Sequence, residues 1–424
     1  MKFKALEKFL QNTISRGRLT LINSDTQRYV FGEPATDHPE VTVRFLDDNV
    51  ARELLADLQL GAGEAYMDGR MVIDEGDVME LIRLIHMNQL WEKGGQIDRA
   101  RPLDKVLAPI IKRVKQFNFR SRARRNTAHH YDLSRELYEH FLDEDMQYSC
   151  AYFIDSSNTL EQAQLDKKSH IAAKLALQPE HRVLDIGCGW GGMALYLHAV
   201  SGAEILGVTL SQEQLKVARE RAAISGVTSR VKFELLDYRD IARFSGLKFD
   251  RIVSVGMFEH VGAPYYSEFF RHTANLMTDD GVMLLHTIGR FGEPGSTDAF
   301  TTKYIFPGGY IPALSEIFKA SQKSSLIATD LETLRLHYAL TLRQWYARTT
   351  ASKDAIVALY DERFYRMWRF YLAGATAGFE YGDLGNYQIQ FCRSRHALPI
   401  CRDYMMGQEQ KYGQTNVARE RTGT

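Results

Sequence analysis

Two periods of apolar residues alternate along the chain from about residue 180 onward. Short β-branched or leucine-rich runs, typical of buried strands, are followed by stretches with the 3.6-residue period of helices. The predicted strands are RVLDIG (182–187), AEILGVT (203–209), RVKFELLDY (230–238), FDRIVSVG (249–256) and GVMLLHTIG (281–289), and the predicted helices are 191–201, 211–226 and 264–278. Repeated βα units of this kind predict a mostly parallel sheet with helices on both faces.

The first hundred residues show a different, mixed pattern. Strand-like pieces at 18–23 and 41–46 are interleaved with helical pieces at 51–61 and 77–93. We therefore expect a small α+β domain over residues 1–111, distinct from the α/β domain that follows.

A basic segment at 112–128 is expected to link these two domains. Its stretch KRVKQFNFRSRARRN (112–126) contains seven Lys or Arg residues and no acid. One interpretation is a solvated linker or helix face. The other is a docking patch for phosphate headgroups, because Phe117 and Phe119 lie among the cations and could enter an interface. The sequence leaves both interpretations open.

A Gly/Pro-rich segment, RFGEPGSTDAFTTKYIFPGGYIPALSE (290–316), interrupts the alternation, and helical patterns return at 331–380. Long insertions in compact domains are usually lids or substrate loops. We therefore expect a catalytic domain over 129–400 that carries a lid or helical insertion at 290–380, followed by a tail at 401–424.

Composition narrows the class of protein. The 424 residues exceed one ordinary domain, and the 53 basic and 53 acidic side chains cancel, so no strong attraction to nucleic acid or to an anionic membrane is expected. The four cysteines (Cys150, Cys188, Cys392 and Cys401) form no CxxC pair, which fits a reducing cytoplasm without a structural zinc site or a disulfide framework. We find no signal peptide pattern and no apolar run near the length of a membrane span.

A glycine-rich turn follows the first strand of the α/β domain. In VLDIGCGWGGMALYL (183–197), Asp185 precedes a run that includes Gly187, Gly189 and Gly191. Glycine is needed where the backbone takes a positive φ or lies against a ligand, and a strand-to-helix turn of this kind binds nucleotides in α/β sheets. The turn alone fits NAD, FAD or S-adenosylmethionine, and it also fits a tight turn without a ligand.

The residues beyond the turn favour S-adenosylmethionine. A dinucleotide site needs an acid about 20 residues after the glycines to hold the ribose. The second strand instead ends in GVTLSQEQ, which offers Thr209, Ser211 and Gln214. Asp237 ends the third strand, where an acid can bind the adenine amino group. The glycines are followed by no P-loop lysine, which disfavours ATP.

A second group of polar residues lies at predicted strand ends. Glu259 and His260 follow one strand, and His286 falls near the end of the next. Ligands bind at the carboxyl ends of parallel strands, so we expect Glu259 and His286 to face one site. A lone histidine is more often structural, and a metal site built from Glu, His and Cys is the competing interpretation, although no HxxxH-type spacing supports it.

Two further stretches carry polar groups among aromatic residues. MQYSCAYF (146–153) contains Ser149 and Cys150, and LRLHYALTLRQWY (334–346) brings Tyr338 on a helix. These stretches and the strand-end motifs together resemble the cyclopropane-fatty-acyl-phospholipid synthases, with the mycolic acid cyclopropane synthases as wider relatives. The motifs that carry the resemblance over 129–395 are HYDLSRELYEHFLDEDMQYSCAYF, RVLDIGCGWGG, GVTLSQEQ, FDRIVSVGMFEHVG, LLHTIG and KYIFPGGYIP.

The resemblance implies an enzyme with a class I methyltransferase (Rossmann-like) domain. It implies transfer of a methylene from S-adenosylmethionine to the cis double bond of an unsaturated phospholipid acyl chain, through a carbocation that bound bicarbonate deprotonates. By motif match, bicarbonate would be held by the Cys150 backbone, Glu259, His286, the Ile288 backbone and Tyr338. S-adenosylmethionine would contact Tyr148, Ser149, Asp185, Gly187, Gly189, Gly191, Thr209, Gln214, Asp237 and Tyr238.

One departure from the family pattern concerns a cysteine near the C-terminal helix, where this chain has Ala375. A covalent cysteine role is therefore not expected. Relatives that form methyl or methylene branches keep the product open, and a small-molecule methyltransferase or a lipid-binding protein without activity are further alternatives. The resemblance also implies a homodimer in the cytoplasm, associated peripherally with the inner face of the membrane, with no metal and no nucleic acid.

Overall fold

The computed structural model describes residues 2–95, 133–243 and 246–422, and its chain divides into two compact units. The basic segment 112–128 lies outside the described residues, so both interpretations of it remain predictions. Each unit contains segments that are distant in the sequence.

The first unit begins with a four-stranded sheet. Its strands are β1 (Arg18–Ile22), β2 (Arg28–Phe31), β3 (Glu40–Phe45) and β4 (Met71–Glu75), in the order β2-β1-β3-β4. The pair β1–β3 is parallel, whereas β1–β2 and β3–β4 are antiparallel. The helices Lys2–Thr13, Asn49–Ala56, Leu58–Met67 and Val78–Met87 accompany the sheet. Inward residues of the strands, such as Leu21 and Val43, form one apolar cluster with residues such as Leu6 of the first helix, which gives the expected α+β fold.

Later parts of the chain complete this first unit, namely 296–307 and 338–384. They contain the helices Ala299–Tyr304, Lys353–Leu359 and Glu362–Glu380 and nearly all of His337–Ala351. The sequence assigned these segments to an insertion in the catalytic domain. They belong to the first unit because their polar and aromatic side chains pair within it: the Tyr346 hydroxyl (2.6 Å) and the Arg369 guanidinium (3.0 Å) both donate to Asp77.

The second unit is built on a seven-stranded sheet in the order β10-β11-β9-β8-β5-β6-β7. Its strands are β5 (Arg182–Ile186), β6 (Glu204–Thr209), β7 (Val231–Leu235), β8 (Phe249–Val255), β9 (Met277–Arg290), β10 (Ile327–Leu334) and β11 (Leu384–Cys392). Strands β7, β6, β5, β8 and β9 pair in parallel, and β10 pairs antiparallel with β11. The strand order reverses between β5 and β8, and ligands of open α/β sheets bind at such a switch point, outside the carboxyl ends of the strands.

Apolar clusters form on both faces of this sheet. One cluster packs residues such as Leu184 and Phe269, and it includes parts of the helices Tyr266–Leu276 and Leu314–Ser321. The other packs Val183 against the helices Leu160–Lys174, Gly192–Ser201 and Gln212–Ile224. Tyr412 joins this second cluster, so the predicted tail contributes a helix, Asp403–Thr422, to the core of the unit.

Candidate active site

The glycine-rich turn joins β5 to the helix Gly192–Ser201. Gly187, Gly189 and Gly191 have φ values of +81°, +52° and +86°, a backbone region that residues with a Cβ rarely adopt. Among the described residues, no atom beyond the chain neighbours of Gly189 lies within 4 Å of the position that its Cβ would take. The turn therefore leaves open space beside its backbone, which a ligand can approach closely.

Asp185 is the second-to-last residue of β5, just before this turn. Its side chain is buried, and within the described ranges its Oδ2 has no hydrogen-bond partner. Burial raises the pKa of this carboxyl to about 7, because the charged form loses its hydration. A buried carboxylate oxygen without a partner beside a glycine-rich turn is the kind of group that a polar ligand satisfies.

The other predicted cofactor residues follow the neighbouring strands. At the end of β6, the Thr209 hydroxyl donates to Gln214 Oε1 (2.9 Å), so these two side chains are joined to each other. After β7, the Asp237 carboxylate accepts hydrogen bonds from Arg239 at 2.8 Å and 2.5 Å, an ion pair that the sequence analysis did not anticipate. Tyr238 packs the edge of its ring against Phe269, with 5.4 Å between ring centroids.

The segment 143–150 lies against the start of the helix that follows the glycine-rich turn. A Cβ on Gly192 would stand 2.4 Å from Asp145 Oδ2 and 2.5 Å from Gln147 Nε2, so only glycine allows this approach. The segment carries Tyr148 and the buried Ser149, whose Cβ lies 3.9 Å from the Cβ position of Gly256 at the end of β8. Ser149 is thereby placed near the carboxyl ends of the central strands.

Lys167 is a buried cation that the sequence analysis missed. Its ammonium donates to Gln147 Oε1 and to Ser149 Oγ, both at 2.8 Å, and its side chain is 0% exposed. Gln164, one turn earlier on the helix, donates to the backbone oxygens of Gln147 (3.1 Å) and Ser149 (3.0 Å). Burial lowers the pKa of Lys167 to about 8. The sequence does not distinguish Lys167 from the neighbouring Lys168. Only the burial of Lys167 in the structure identifies it as part of the site.

Glu259 and His286 come together because β8 and β9 are parallel neighbours. Val255 pairs with His286, and the Gly256 N–H donates to the His286 carbonyl at 3.0 Å. Two residues further along, the Ile288 N–H donates to Glu259 Oε1 at 2.6 Å. The sequence analysis reserved this N–H for a bound ligand, whereas in this structure the glutamate engages it.

Two polar atoms of this pair are buried without a partner among the residues that the structure describes: Glu259 Oε2 and His286 Nε2. Burial raises the pKa of Glu259 and holds the pKa of His286 well below its usual range, so both environments disfavour charge. We call Asp185, Glu259 and His286 the Glu259 site, since they lie in or shortly after the neighbouring strands β5, β8 and β9 and each leaves one buried polar atom unsatisfied among the described residues.

The remaining predicted residues are placed as follows. Cys150 is buried, and burial raises the pKa of its thiol, so this side chain is not poised as a nucleophile. Tyr338 belongs to the first unit, where its ring packs against Trp345 and Phe379 at centroid distances of 5.8 Å and 4.8 Å. In the described ranges, no group of three or more His, Cys, Asp or Glu residues could hold a metal ion, and no helix is long and apolar enough to span a membrane.

The sheet order, the glycine-rich turn and the acid before it define a class I methyltransferase that depends on S-adenosylmethionine. Residues 119–389 match the family model described as mycolic acid cyclopropane synthetase, and the chain belongs to this family. The chain is 38% identical to the cyclopropane-fatty-acyl-phospholipid synthase of Escherichia coli K12 over 83% of its own length and 87% of that protein. It is also 36% identical to a probable fatty acid methyltransferase of Pseudomonas putida, over 87% of this chain and 92% of that protein.

A solved structure agrees with this assignment. The chain is similar to the mycolic acid cyclopropane synthase CmaA1 in complex with SAH and CTAB, with a TM-score of 0.59 and 33% identity over 63% of this chain and 98% of that chain. The predicted family resemblance, fold class and enzyme class are thereby confirmed. The roles of the individual site residues remain predictions.

Proposed function

We propose that this methyltransferase adds a methylene group across the cis double bond of an unsaturated phospholipid acyl chain, and that bicarbonate serves as its base. The names of the relatives support a lipid substrate with a double bond. The observation that carries the proposal is the Glu259 site, where buried polar atoms of Asp185, Glu259 and His286 lack partners among the described residues.

The residues around the glycine-rich turn fit S-adenosylmethionine. The positive φ angles and the open space at Gly189 leave the backbone accessible, and Asp185 offers an acceptor that nothing else in the described ranges uses. Tyr148 and Ser149 lie on the segment held against this turn, and Thr209, Gln214, Asp237 and Tyr238 follow the next two strands. When bound, this cofactor supplies an electrophilic methyl group.

Glu259 and His286 fit a small oxyanion such as bicarbonate, which would supply a base inside an otherwise apolar interior. Burial raises the pKa of Glu259, which lessens the like-charge repulsion between this carboxyl and a bound anion. His286 is neutral because burial depresses its pKa, so one ring nitrogen donates and the other accepts. In this proposal the two side chains together hold the anion.

The test is the lipid composition of cells that express the chain. We expect unsaturated acyl chains to gain the mass of one CH₂ group, and fragmentation to place it at the former double bond. Purified enzyme should lose activity when dissolved carbonate is stripped from the buffer and should recover it when carbonate is returned. Unchanged lipids would refute the substrate assignment, and full activity without carbonate would refute the base.

A methyl- or methylene-branched product is the second candidate, because fatty acid methyltransferases are similar to this chain over most of its length. The chain is 34% identical over 91% of its length to the tuberculostearic acid methyltransferase UfaA1 of Mycobacterium tuberculosis. A ring forms when the added methyl group loses a proton and its carbon bonds to the cationic carbon, whereas a methylene branch forms when a hydride first shifts to the cationic carbon and the methyl group then loses the proton. A saturated methyl branch would require a separate reductant. Fragmentation of the product lipids distinguishes a ring from a branch.

We further propose that the chain acts as a homodimer on the cytoplasmic face of the membrane, where its substrate lies. The basic segment 112–126 supports this, because each Lys or Arg near an anionic surface contributes about 1 kcal/mol. Substituting Arg122, Arg124 and Arg125 with Ala should weaken binding to anionic vesicles, and high salt should act likewise. Vesicle binding that is unchanged by the substitutions and by high salt would favour the solvated-linker interpretation. Sedimentation would establish the oligomeric state.

A further inference from the structure

Gln388 lies behind the Glu259 site, on β11 between β9 and β10. Its side chain is 0% exposed, and its Nε2 lies 3.2 Å from His286 Nδ1. Neither the sequence motifs nor the family resemblance drew attention to this residue. Gln388 lies on the face of β11 that carries amide side chains, and the strand is buried along nearly its whole length.

The contact determines which ring nitrogen of His286 carries hydrogen. A side-chain amide nitrogen can only donate, so Nδ1 of His286 accepts the hydrogen bond from Gln388. Because a neutral imidazole has one N–H, the hydrogen must then reside on Nε2. Nε2 is the atom that has no partner within the described part of the chain. The only N–H of the ring is therefore left for a ligand.

The charges around His286 also favour its neutral form. Burial and the nearby cations Lys167, Lys174 and His170 hold the pKa of His286 well below its usual range, and Glu332 opposes them only in part. The ring is thus neutral near pH 7, and a neutral ring can be fixed in one tautomer by a single hydrogen bond.

We propose that Gln388 is a positioning residue that locks His286 in the Nε2–H tautomer and so presents a hydrogen-bond donor to the anion bound beside Glu259. The tautomer follows from the orientation of the Gln388 amide, whose Nε2 faces His286, and its consequence for catalysis rests on the proposed function. Gln388 acts through His286 and has no contact of its own with the reacting atoms in this proposal.

The test compares Gln388→Met with Gln390→Met. Both glutamines lie on the same strand, point the same way and are at most 1% exposed, but Gln390 donates to Tyr404 and to the Lys174 carbonyl instead of to His286. Gln388→Met should raise KM for bicarbonate or lower kcat by about 10- to 100-fold, the range known for partners that orient metal-bound histidines. Gln390→Met should lose stability without this kinetic change. Equal kinetic losses in both variants, with unchanged pH profiles, would overturn the proposal.

A spectroscopic measurement reads the tautomer directly. In protein labelled with ¹⁵N-histidine, His286 should show an unprotonated Nδ1 and a protonated Nε2, and its signals can be assigned by their loss in His286→Asn. Gln388→Glu should shift the ring toward the doubly protonated form, because a carboxylate accepts from Nδ1–H. A wild-type ring protonated at Nδ1 would refute the inference.

The two measurements separate this inference from the proposed function. One outcome is that the enzyme keeps full activity without carbonate while His286 shows the Nε2–H tautomer in the wild type and loses it in Gln388→Met. In that case the proposed base is wrong and the tautomer assignment stands. Thermal melting of each variant establishes that it folds before either result is interpreted.

Discussion

The second unit contains two buried polar clusters that differ in how their atoms are paired. The Glu259 site leaves one buried polar atom unsatisfied on each of its three residues, within the described part of the chain. The other, which we call the His170 cluster, consists of His170, Lys174, Glu332 and Glu409. There, His170 contacts Glu332 (2.6 Å) and Glu409 (3.0 Å) through its two ring nitrogens, and Lys174 also pairs with Glu332.

This difference separates a structural cluster from a binding one. An unsatisfied buried polar group costs about 1–3 kcal/mol, whereas a paired group largely recovers its lost hydration. The His170 cluster satisfies itself and ties β10 and the C-terminal helix to the helix Leu160–Lys174. In the proposed function a ligand satisfies the Glu259 site, so we expect substitutions there to affect activity and substitutions in the His170 cluster to affect stability.

The largest expected effect is that of Glu259→Gln, compared with Glu332→Gln. Removing the Glu259 carboxyl should lower turnover by a factor on the order of 10²–10⁴, the usual range for losing a positioned proton acceptor, because Glu259 is proposed to hold the bicarbonate that serves as the base. Its Tm should stay the same or rise, because the glutamine oxygen can still accept from the Ile288 N–H while a buried ionisable group is removed. Glu332→Gln should lower the Tm and leave turnover near wild type. Kinetics and thermal melting of both variants test this prediction. If Glu259→Gln lowered the Tm and Glu332→Gln lowered turnover, the distinction between the two clusters would be wrong.

The second prediction compares Gly189→Val with Gly226→Val. Both glycines have a positive φ (+52° and +68°), and neither has a described atom near its Cβ position. The backbone strain of the two substitutions is therefore similar. Only at Gly189 would the side chain enter the space proposed for S-adenosylmethionine, and we expect its affinity to fall about 10- to 100-fold, as for an overpacked contact of 1–3 kcal/mol. Calorimetry that finds equal affinities would contradict the cofactor assignment.

The third prediction concerns two lysines seven residues apart on one helix. Lys167 holds Ser149 and Gln147 in place, whereas Lys174 belongs to the His170 cluster. Lys167→Met should weaken S-adenosylmethionine binding by about tenfold, because two hydrogen bonds that anchor the cofactor segment are lost at about 1 kcal/mol or less each. Lys174→Met should reduce the Tm without changing the affinity. If Lys174→Met weakens binding as much as Lys167→Met does, the anchoring role of Lys167 is wrong.

The smallest effect is a pH dependence of stability in the His170 cluster. Burial works to lower the pKa of His170, but the hydrogen bonds to Glu332 and Glu409 outweigh it, so the pKa is raised. The folded state therefore binds this proton more tightly than the unfolded state does. Its stabilisation is complete below the ordinary histidine pKa near 6.5 and is lost as the pH rises through the raised value. The Tm difference between wild type and His170→Gln should shrink over that range, and a difference that grows with pH would contradict it.

The sequence predicted the parts of the fold in which the buried residues are apolar. Strands β5 to β9 carry apolar runs with turn residues at their ends, and the glycine-rich turn with Asp185 marks the first junction. Strand β10 was missed because it is a largely exposed edge strand that carries acids, and β11 was missed because amide side chains alternate with its buried apolar residues. Register pairs Asp330 with Gln390 and Glu332 with Gln388, and charged or amide side chains at inward positions remove the apolar signal of a strand.

The sequence predicted the site residues that lie near strand ends. It did not predict the residues that hold them in place. Glu259 and His286 could be placed together because parallel strands end at the same edge of the sheet. Lys167 and Gln388 act through contacts that span 18 and 102 residues of chain, and Arg239 acts through a local ion pair. No single-sequence pattern reports such contacts. The sequence predicted two domains, but it did not show that residues 296–307 and 338–384 join the first, since this depends on pairs such as Asp77 with Arg369.

The interleaved chain of the first unit constrains the order in which the protein is made. Residues 2–95 leave the ribosome first, but the helices that complete their unit begin at 296 and end near 384. Roughly 200 residues separate 95 from 296, so at about 5–20 residues per second the early segment waits on the order of 10 to 40 s for its partners. During that interval its exposed apolar face is a target for chaperones, and we expect a nascent chain stalled before residue 296 to be far more sensitive to protease than the released protein.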